Sequence, residues 1–311
     1  MRSERVTAGQ EAAEMVWLLG QPHLADFLDF VREKVVGGAA IPPKRLADEW
    51  RAANDHYYDL EKSEAGAADG IESLPLPPEM RPLARRLRAN RYFRRAFDTL
   101  PVRIRMVELD RLIVSQLHVE RQFVDALSTR LDPAAGPEAL FHFCQPAERR
   151  VAPVRAEQLG PDRFRFSSES TDFRANPSAL LAPALAGKVP SFGPASAAIA
   201  LVVGYGSNFL SVVASGGRMV LHNGYHRAYA LRALGFTHAP CVVTEVTRKD
   251  ELRVAASEKV SADPEFYFAA KRPPLLRDFF DPKLRKILRV VRMETVIEVE
   301  LKVRTSTAAE L

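Results

Sequence analysis

The stretch HNGYHRAYALRALGFTHAPCVV, residues 222–243, decides the fold of the region around it. Residues 218–221 ahead of it alternate as an extended segment, and Asn223-Gly224 forms a pair that tolerates positive φ. Tyr225 opens a run of good helix formers, and Gly235 predicts the end of that helix. The predicted order is therefore strand, tight turn, helix and a further strand.

The turn in this stretch is suited to binding an anion. The first backbone N–H groups of a helix lack intrahelical partners, and the helix dipole favours negative charge near them by about 0.3–1 kcal/mol. A guanidinium at the helix start can also bind two phosphate oxygens in parallel. We expect a phosphate there, contacted by Asn223, Gly224, Tyr225, His226 and Arg227. The alternative is an ordinary junction whose arginine pairs with a nearby acid.

These residues resemble the G-x-H-R or G-E-R-R box of the ParB/sulfiredoxin-like superfamily, in which a glycine turn opens a helix and a proline leads into a strand. In that superfamily the box binds CTP in chromosome-partitioning ParB proteins and ATP in sulfiredoxins. By resemblance, Gly224, His226 and Arg227 take the phosphate-binding role. The implied cofactor is a nucleoside triphosphate, ATP or CTP, with Mg²⁺ as an optional companion.

The stretch VELDRLIVSQLHVERQFVDAL, residues 107–127, is similar to the first box of the same superfamily, where a strand and a polar turn precede a helix. Its polar residues are Ser115, Gln116, His118, Glu120 and Arg121. An acid or base near phosphates can accept a hydroxyl proton or hold a metal. His118 and Glu120 are therefore candidate catalytic residues, and Arg121 is expected to bind the nucleotide. The alternative is a solvated helix start.

Other residues extend or limit the resemblance. The segment 204–208, GYGSN, lacks the third glycine of a dinucleotide fingerprint and predicts a turn, with Ser207 and Asn208 facing the same cleft as the box. Tyr225 stands where sulfiredoxins carry their reactive cysteine, so sulfinic acid reduction is not expected. No helix-turn-helix pattern follows Lys249, so a partitioning role is not expected either.

A basic run lies upstream of both boxes. Between Arg81 and Arg105 there are nine arginines against the single acid Asp98, and Tyr92 and Phe93 interleave with them. Such a pattern is typical of a surface that binds nucleic acid. A solvated helical face or a domain interface would have the same composition.

The chain of 311 residues has room for about two domains of roughly 150 residues each. Residues 9–98 have apolar groups at helical spacing, and alternating segments begin after residue 101. The predicted fold is α+β, with an N-terminal helical domain at residues 1–100. A ParB/sulfiredoxin-like mixed α/β domain follows at 101–250, and a helix-loop-strand extension at 251–311.

The composition predicts a cytoplasmic protein that does not span a membrane. Cys144 and Cys241 lie far apart, so neither a disulfide framework nor a structural zinc site is expected. The N-terminus has no sustained apolar run of the secretory type. The uncharged stretch 189–217 is long enough to cross a bilayer, but prolines and glycines break it into short runs that suit strands.

Three functions follow from these patterns. The leading expectation is a nucleotide-binding protein of ParB-like, bacterial type whose bound state governs interaction with a nucleic acid or a partner protein. The first alternative is a phosphotransferase or nuclease-type hydrolase with Glu120 as base. The second is a nucleic-acid-binding protein that uses the basic run between Arg81 and Arg105.

Overall fold

A computed structural model describes residues 12–71, 73–146, 151–170, 172–176, 178–187, 193–194, 196–292 and 294–307. The chain forms two compact units. The first unit contains the described residues from 12 to 146 and Ser207–Arg292. The second contains the described residues from 151 to 206 and from 294 to 307.

The helices, in chain order, are α1 (Leu24–Lys34), α2 (Pro43–Glu64), α3 (Met80–Ala89), α4 (Arg91–Ala96), α5 (Arg121–Ser128), α6 (Gly136–Cys144), α7 (Pro183–Ala186), α8 (Tyr225–Ala233), α9 (Lys249–Ala255), α10 (Glu258–Ala262) and α11 (Pro264–Phe268). A 3₁₀ turn spans Leu276–Phe280.

The strands, in chain order, are β1 (Ala12–Leu18), β2 (Ser73–Leu74), β3 (Val102–Glu108), β4 (His118–Glu120), β5 (Arg155–Gly160), β6 (Arg163–Ser168), β7 (Phe173–Ala175), β8 (Ala179–Leu181), β9 (Ala198–Ala200), β10 (Val203–Tyr205), β11 (Ser211–Ser215), β12 (Arg218–Asn223), β13 (His238–Glu245), β14 (Arg285–Val291) and β15 (Thr295–Glu300). The fold is thus mixed α+β, as predicted.

The central sheet of the first unit has the order β12-β11-β13-β3-β2. β11 and β12 form an antiparallel hairpin, and β11 runs parallel to β13. The connection from this hairpin to β13 is α8, so the predicted strand, turn, helix and strand around residues 222–243 are confirmed. β13 lies between β11 and β3 and is almost entirely buried, in keeping with its run of apolar residues.

A second sheet in the first unit corrects the prediction for the N-terminus. Residues 12–18 were expected to be helical, but they form β1 at the centre of a sheet with the order β14-β1-β4. The short apolar segment AAEMVWL fits either a helix or a strand locally, and pairing on both edges decides for the strand. β14 was not predicted at all.

The N-terminal helices share their core with the central sheet. Phe27 of α1 and Tyr57 of α2 are buried in the same apolar cluster as Leu221 of β12 and Leu231 of α8. Neither compact unit begins or ends near residue 100 or 250. The predicted separate helical domain is therefore corrected, because its helices bury their apolar faces against the mixed α/β region.

The second unit is built from short antiparallel strands. β5 and β6 pair, and β15 joins β6 on its other edge. β7 pairs with β10, and β8 pairs with β9. The strand predicted for the extension at 251–311 is present as β15, which ends at Glu300, and part of the uncharged stretch 189–217 lies outside the described residues.

Within the part of the chain that the structure describes, no helix is both long and apolar enough to cross a membrane.

Candidate functional site

The turn between β12 and α8 has the predicted conformation. Gly224 is the N-cap residue of α8 and has φ of +93°, in the left-handed region that favours glycine. At the other end of the helix Gly235 has φ of +88°, and its N–H bonds to the carbonyl of Arg232. Both glycines therefore perform the backbone roles that the sequence indicated.

The space beside Gly224 differs from the expectation. A Cβ on Gly224 would lie 2.6 Å from Cδ1 of Leu210 and 3.3 Å from its Cα. We expected this side of the glycine to be open to a phosphate, but Leu210, which is fully buried, fills it. The glycine lets the chain before β11 pack closely against the turn.

Tyr225 joins the two boxes through its hydroxyl. The ring is buried, and the hydroxyl bonds to Oγ of Ser115 at 2.8 Å and also to the carbonyl of Leu221. Burial raises the pKa of this phenol. Tyr225, expected to contact the ligand, thus has its polar atom engaged inside the core.

His226 makes a second link between the boxes. Its Nε2 accepts a hydrogen bond from the backbone N–H of Glu120 at 3.0 Å, which places the ring proton of the neutral imidazole on Nδ1. The edge of the ring of Phe123 meets the imidazole, with centroids 5.1 Å apart. Burial, followed by the charges of His118 and Arg227, lowers the pKa of His226 to about 4.

Arg227, whose guanidinium was expected to bind phosphate, is buried. Only 6% of its surface is accessible. Nη1 donates to the carbonyl of Cys144 at 2.5 Å, and Nη2 donates to Oδ1 of Asn208 at 2.8 Å. Because α6 ends at Cys144, this guanidinium connects three separate parts of the chain. Its charge also acts on the thiol of Cys144, whose pKa burial nevertheless raises to about 12.

Ser207 and Asn208 lie beside the box. The side-chain amide of Asn223 donates to the carbonyl of Ser207, and Asn208 accepts from Arg227. The two residues thus hold the turn through hydrogen bonds.

The first-box residues fall at the start of α5. His118 lies in β4, with its ring stacked on Trp17 at 5.3 Å and on Phe30 at 5.7 Å. Burial, followed by the charge of Lys259, lowers its pKa to about 4. Its Nδ1 is buried and has no hydrogen-bond partner among the residues that the structure describes.

Glu120 and Arg121 lie at the surface end of this segment. Glu120 is the N-cap residue of α5, but its carboxylate does not bond to the helix amides. Arg121 points to β1, where its guanidinium pairs with the carboxylate of Glu14 at 3.0 Å. Of the two, Glu120 is joined to the box directly, through its backbone bond to His226.

Lys259 of α10 is a charged neighbour of His118 that the sequence analysis missed. Its charge is close enough to lower the pKa of His118, and its Nζ lies 4.0 Å from a carboxylate oxygen of Asp26. The side chain is 41% exposed, and partial burial lowers its own pKa. No local motif marks this lysine, because only the packing of α10 brings it to the first box.

A second cluster of charges lies around a cavity of about 470 Å³ lined by Glu64, Arg272, Arg277 and Asp281. Arg272 is buried and donates to both carboxylate oxygens of Asp278 and to Glu64. Tyr57 donates to Asp278 at 3.3 Å. Arg272 and Arg277 each pair with a carboxylate, so the cluster fastens α2 to the 3₁₀ turn Leu276–Phe280.

Among the described residues, no group of three or more His, Cys, Asp or Glu side chains could hold a metal ion. Comparison of the chain with protein-family models, with curated proteins and with solved structures found no match.

Proposed function

We propose that the chain binds the phosphates of a nucleoside triphosphate, ATP or CTP, at the N-terminus of α8, and that the bound state governs its interaction with another macromolecule. The observation that carries the proposal is the meeting of three separate segments at this helix start. Residues 115–121, 207–208 and 223–227 are joined there by side-chain hydrogen bonds. The resemblance of the GYHR box to the ParB/sulfiredoxin-like superfamily supports the same ligand.

The electrostatics of this helix start favour an anion. The N–H groups of the first turn have no acceptor within α8, and the helix dipole adds partial positive charge. Arg227 contributes a buried positive charge in the same turn, and Lys259 contributes a second, more exposed one near His118. A triphosphate supplies the negative charge that would balance these groups.

The orphan nitrogen of His118 fits such a ligand. A buried polar atom without a partner costs about 1–3 kcal/mol, and native proteins contain few of them. Nδ1 of His118 is such an atom within the described residues. If it carries the ring proton, a phosphate oxygen is a suitable acceptor for it.

The roles of the box residues follow from their contacts. Arg227 positions the turn, because its guanidinium holds Cys144 and Asn208. Tyr225 and His226 likewise hold the first box through Ser115 and through the amide of Glu120. We therefore assign direct phosphate contacts to the first-turn amides of α8, His118 and Lys259.

Thermal-shift titration of the whole chain with ATP, CTP and GTP tests the proposal. We expect a nucleotide to raise the melting temperature of the parent protein, because a ligand that binds only the folded state stabilises it. Lys259→Ala should weaken that response at least about tenfold in nucleotide concentration, the equivalent of about 1.4 kcal/mol. Lys249→Ala, an exposed lysine of α9, is the matched control and should respond like the parent.

Two results would contradict the phosphate site. One is a parent protein that responds to none of the three nucleotides. The other is a response that Lys259→Ala leaves unchanged. Mass spectrometry of ligand retained through purification identifies the nucleotide without assuming its base.

Substitution of Glu120 distinguishes a protein that only binds nucleotide from an enzyme. The backbone N–H of Glu120 bonds to His226 and its carboxylate does not cap α5, so we assign this carboxylate the role of base or Mg²⁺ ligand in the phosphotransferase or hydrolase alternative. Release of inorganic phosphate from ATP or CTP with Mg²⁺ measures turnover. If Glu120→Gln abolishes turnover but still binds nucleotide, the enzyme alternative is favoured. If the parent protein shows no turnover, a regulatory protein is favoured.

A further inference from the structure

A strongly charged surface on α3 and α4 takes no part in the site at α8. Four exposed arginines, Arg85, Arg88, Arg94 and Arg95, define what we call the arginine face. Arg86 lies exposed beside them. Among the residues that the structure describes, none forms an ion pair or a side-chain hydrogen bond with these five.

The packing of α3 and α4 against the core determines that the arginine face points to solvent. In α3 the buried residues are Met80, Leu83, Ala84 and Leu87, a stripe at helical spacing that leaves the arginines outside. In α4 the side chain of Asn90 accepts from the amides of Tyr92 and Phe93 at the helix start. Phe93 is buried, 5.4 Å from Phe209 between ring centroids, and anchors the helix. The arginines therefore lie on the exposed side of helices that are anchored to the core.

The face concentrates charge at a cost in stability. Arg85 and Arg88 are three residues apart on α3, and like charges at this spacing repel by a few tenths of a kcal/mol. The whole chain carries +5, while residues 81–105 contain nine arginines against one aspartate. The rest of the chain is therefore net negative. The net positive charge of the chain therefore comes from residues 81–105, the segment that contains the arginine face, which favours an anionic partner for this face.

From this geometry we propose that the arginine face binds single-stranded nucleic acid. All nine basic residues between 81 and 105 are arginine and none is lysine, and the guanidinium group matches phosphate oxygens in pairs. Tyr92, between Arg88 and Arg94 in sequence, is 58% exposed, with the guanidinium of Arg91 4.7 Å from its ring centroid. An exposed aromatic ring among arginines offers a base a stacking platform, which an acidic peptide or a lipid headgroup would not use.

Fluorescence anisotropy of a labelled 20-nucleotide oligo-dT with the whole chain tests this inference. Five phosphate contacts to a single strand predict that affinity falls about a hundredfold between 50 and 200 mM salt. Replacing Arg85, Arg88, Arg94 and Arg95 with Ala should lower affinity at 50 mM salt at least tenfold. The same replacement should reduce the salt effect to about threefold. Tyr92→Ala should weaken binding without changing the salt dependence.

The control variant removes four positive charges at exposed positions outside the arginine face. Arg130, Arg163, Arg253 and Arg289 are exposed and form no ion pair with a described residue, so their replacement with Ala should change affinity less than threefold. An equal loss in this control would overturn the inference, as would parental binding by the arginine-face variant. Tighter binding of the parent to a 20-base-pair duplex, to polyglutamate or to anionic vesicles would also overturn it.

Discussion

The backbone N–H of Glu120 donates to Nε2 of His226 at 3.0 Å, across 106 positions of sequence. This bond fastens the start of α5 to the start of α8, so the two boxes form one structure. The acceptor must be a neutral imidazole, because a protonated ring presents an N–H at both nitrogens. The folded state therefore opposes protonation of His226.

Stability should fall as the pH is lowered from about 6.5 to about 4. His118 and His226 both have pKa values of about 4 in the folded protein, against 6.5 for a free histidine. Between these values the unfolded chain binds more protons, so unfolding is favoured as pH falls. The loss by pH 4.5 is on the order of 2–3 kcal/mol for each histidine, or roughly 5 kcal/mol for the two together, since one pKa unit corresponds to about 1.4 kcal/mol. Urea unfolding at pH 7.5 and 4.5 measures it.

A matched variant isolates the histidine contribution from that of the carboxylates. His226→Gln keeps an acceptor for the Glu120 amide but cannot titrate, so its stability should depend less on pH in this window. His23→Gln, at an exposed histidine, should follow the parent. Parallel pH profiles of the parent and His226→Gln would show that His226 does not oppose protonation.

Arg227→Ala should destabilise the fold by about 2–4 kcal/mol. The substitution removes the buried guanidinium and, with it, the hydrogen bonds to the carbonyl of Cys144 and to the side chain of Asn208. Arg94→Ala, at an exposed position, should stay within about 0.5 kcal/mol of the parent. Denaturant unfolding gives both values. An Arg227→Ala protein as stable as Arg94→Ala would mean that the buried guanidinium is dispensable.

The sequence predicted the turn of the site because local chemistry determines it. Asn223-Gly224 ahead of a run of helix formers has few other conformations available, and Gly224 has the expected positive φ. The sequence could not predict that Arg227 is buried. An arginine in the first turn of a helix is most often solvated, and its partners Cys144 and Asn208 come from elements distant in sequence.

Contacts between segments distant in sequence also explain why the helix predicted at the N-terminus was wrong. Residues 12–18 carry an apolar run too short to distinguish a helix from a strand, and their pairing with β4 and β14 joins segments more than a hundred positions away. Lys259 is a further case, because α10 reaches His118 only through tertiary packing. Local pattern thus predicted the elements of the box, and long-range contacts determined their surroundings.

Asp278→Ala should cost about 3–5 kcal/mol, because it leaves the buried charge of Arg272 without its main partner. Asp281→Ala at the same cavity should cost less, since the side chain of Asp281 is 30% exposed and bonds to His56 and to the backbone N–H of Lys283 rather than to a buried guanidinium. Urea denaturation compares the two. Replacing both partners, with Arg272→Met and Asp278→Leu, should restore part of the loss. A double variant less stable than Asp278→Ala would contradict this account.

Gly224→Ala should destabilise the protein by about 2–5 kcal/mol, through two separable effects. The left-handed conformation at φ of +93° strains a non-glycine residue by about 1–2 kcal/mol. The added Cβ also meets Cδ1 of Leu210 at 2.6 Å, and overpacking of this kind costs about 1–3 kcal/mol.

Gly216→Ala is the matched control, because Gly216 has φ of +58° and open space around its Cβ position, so only the conformational strain applies. A double-mutant cycle with Leu210→Ala, followed by urea unfolding, should remove the steric part and bring the effect of Gly224→Ala down to that of Gly216→Ala. Equal costs for the two glycine substitutions in the parent background would mean that Leu210 moves aside freely and that the side of Gly224 is open after all.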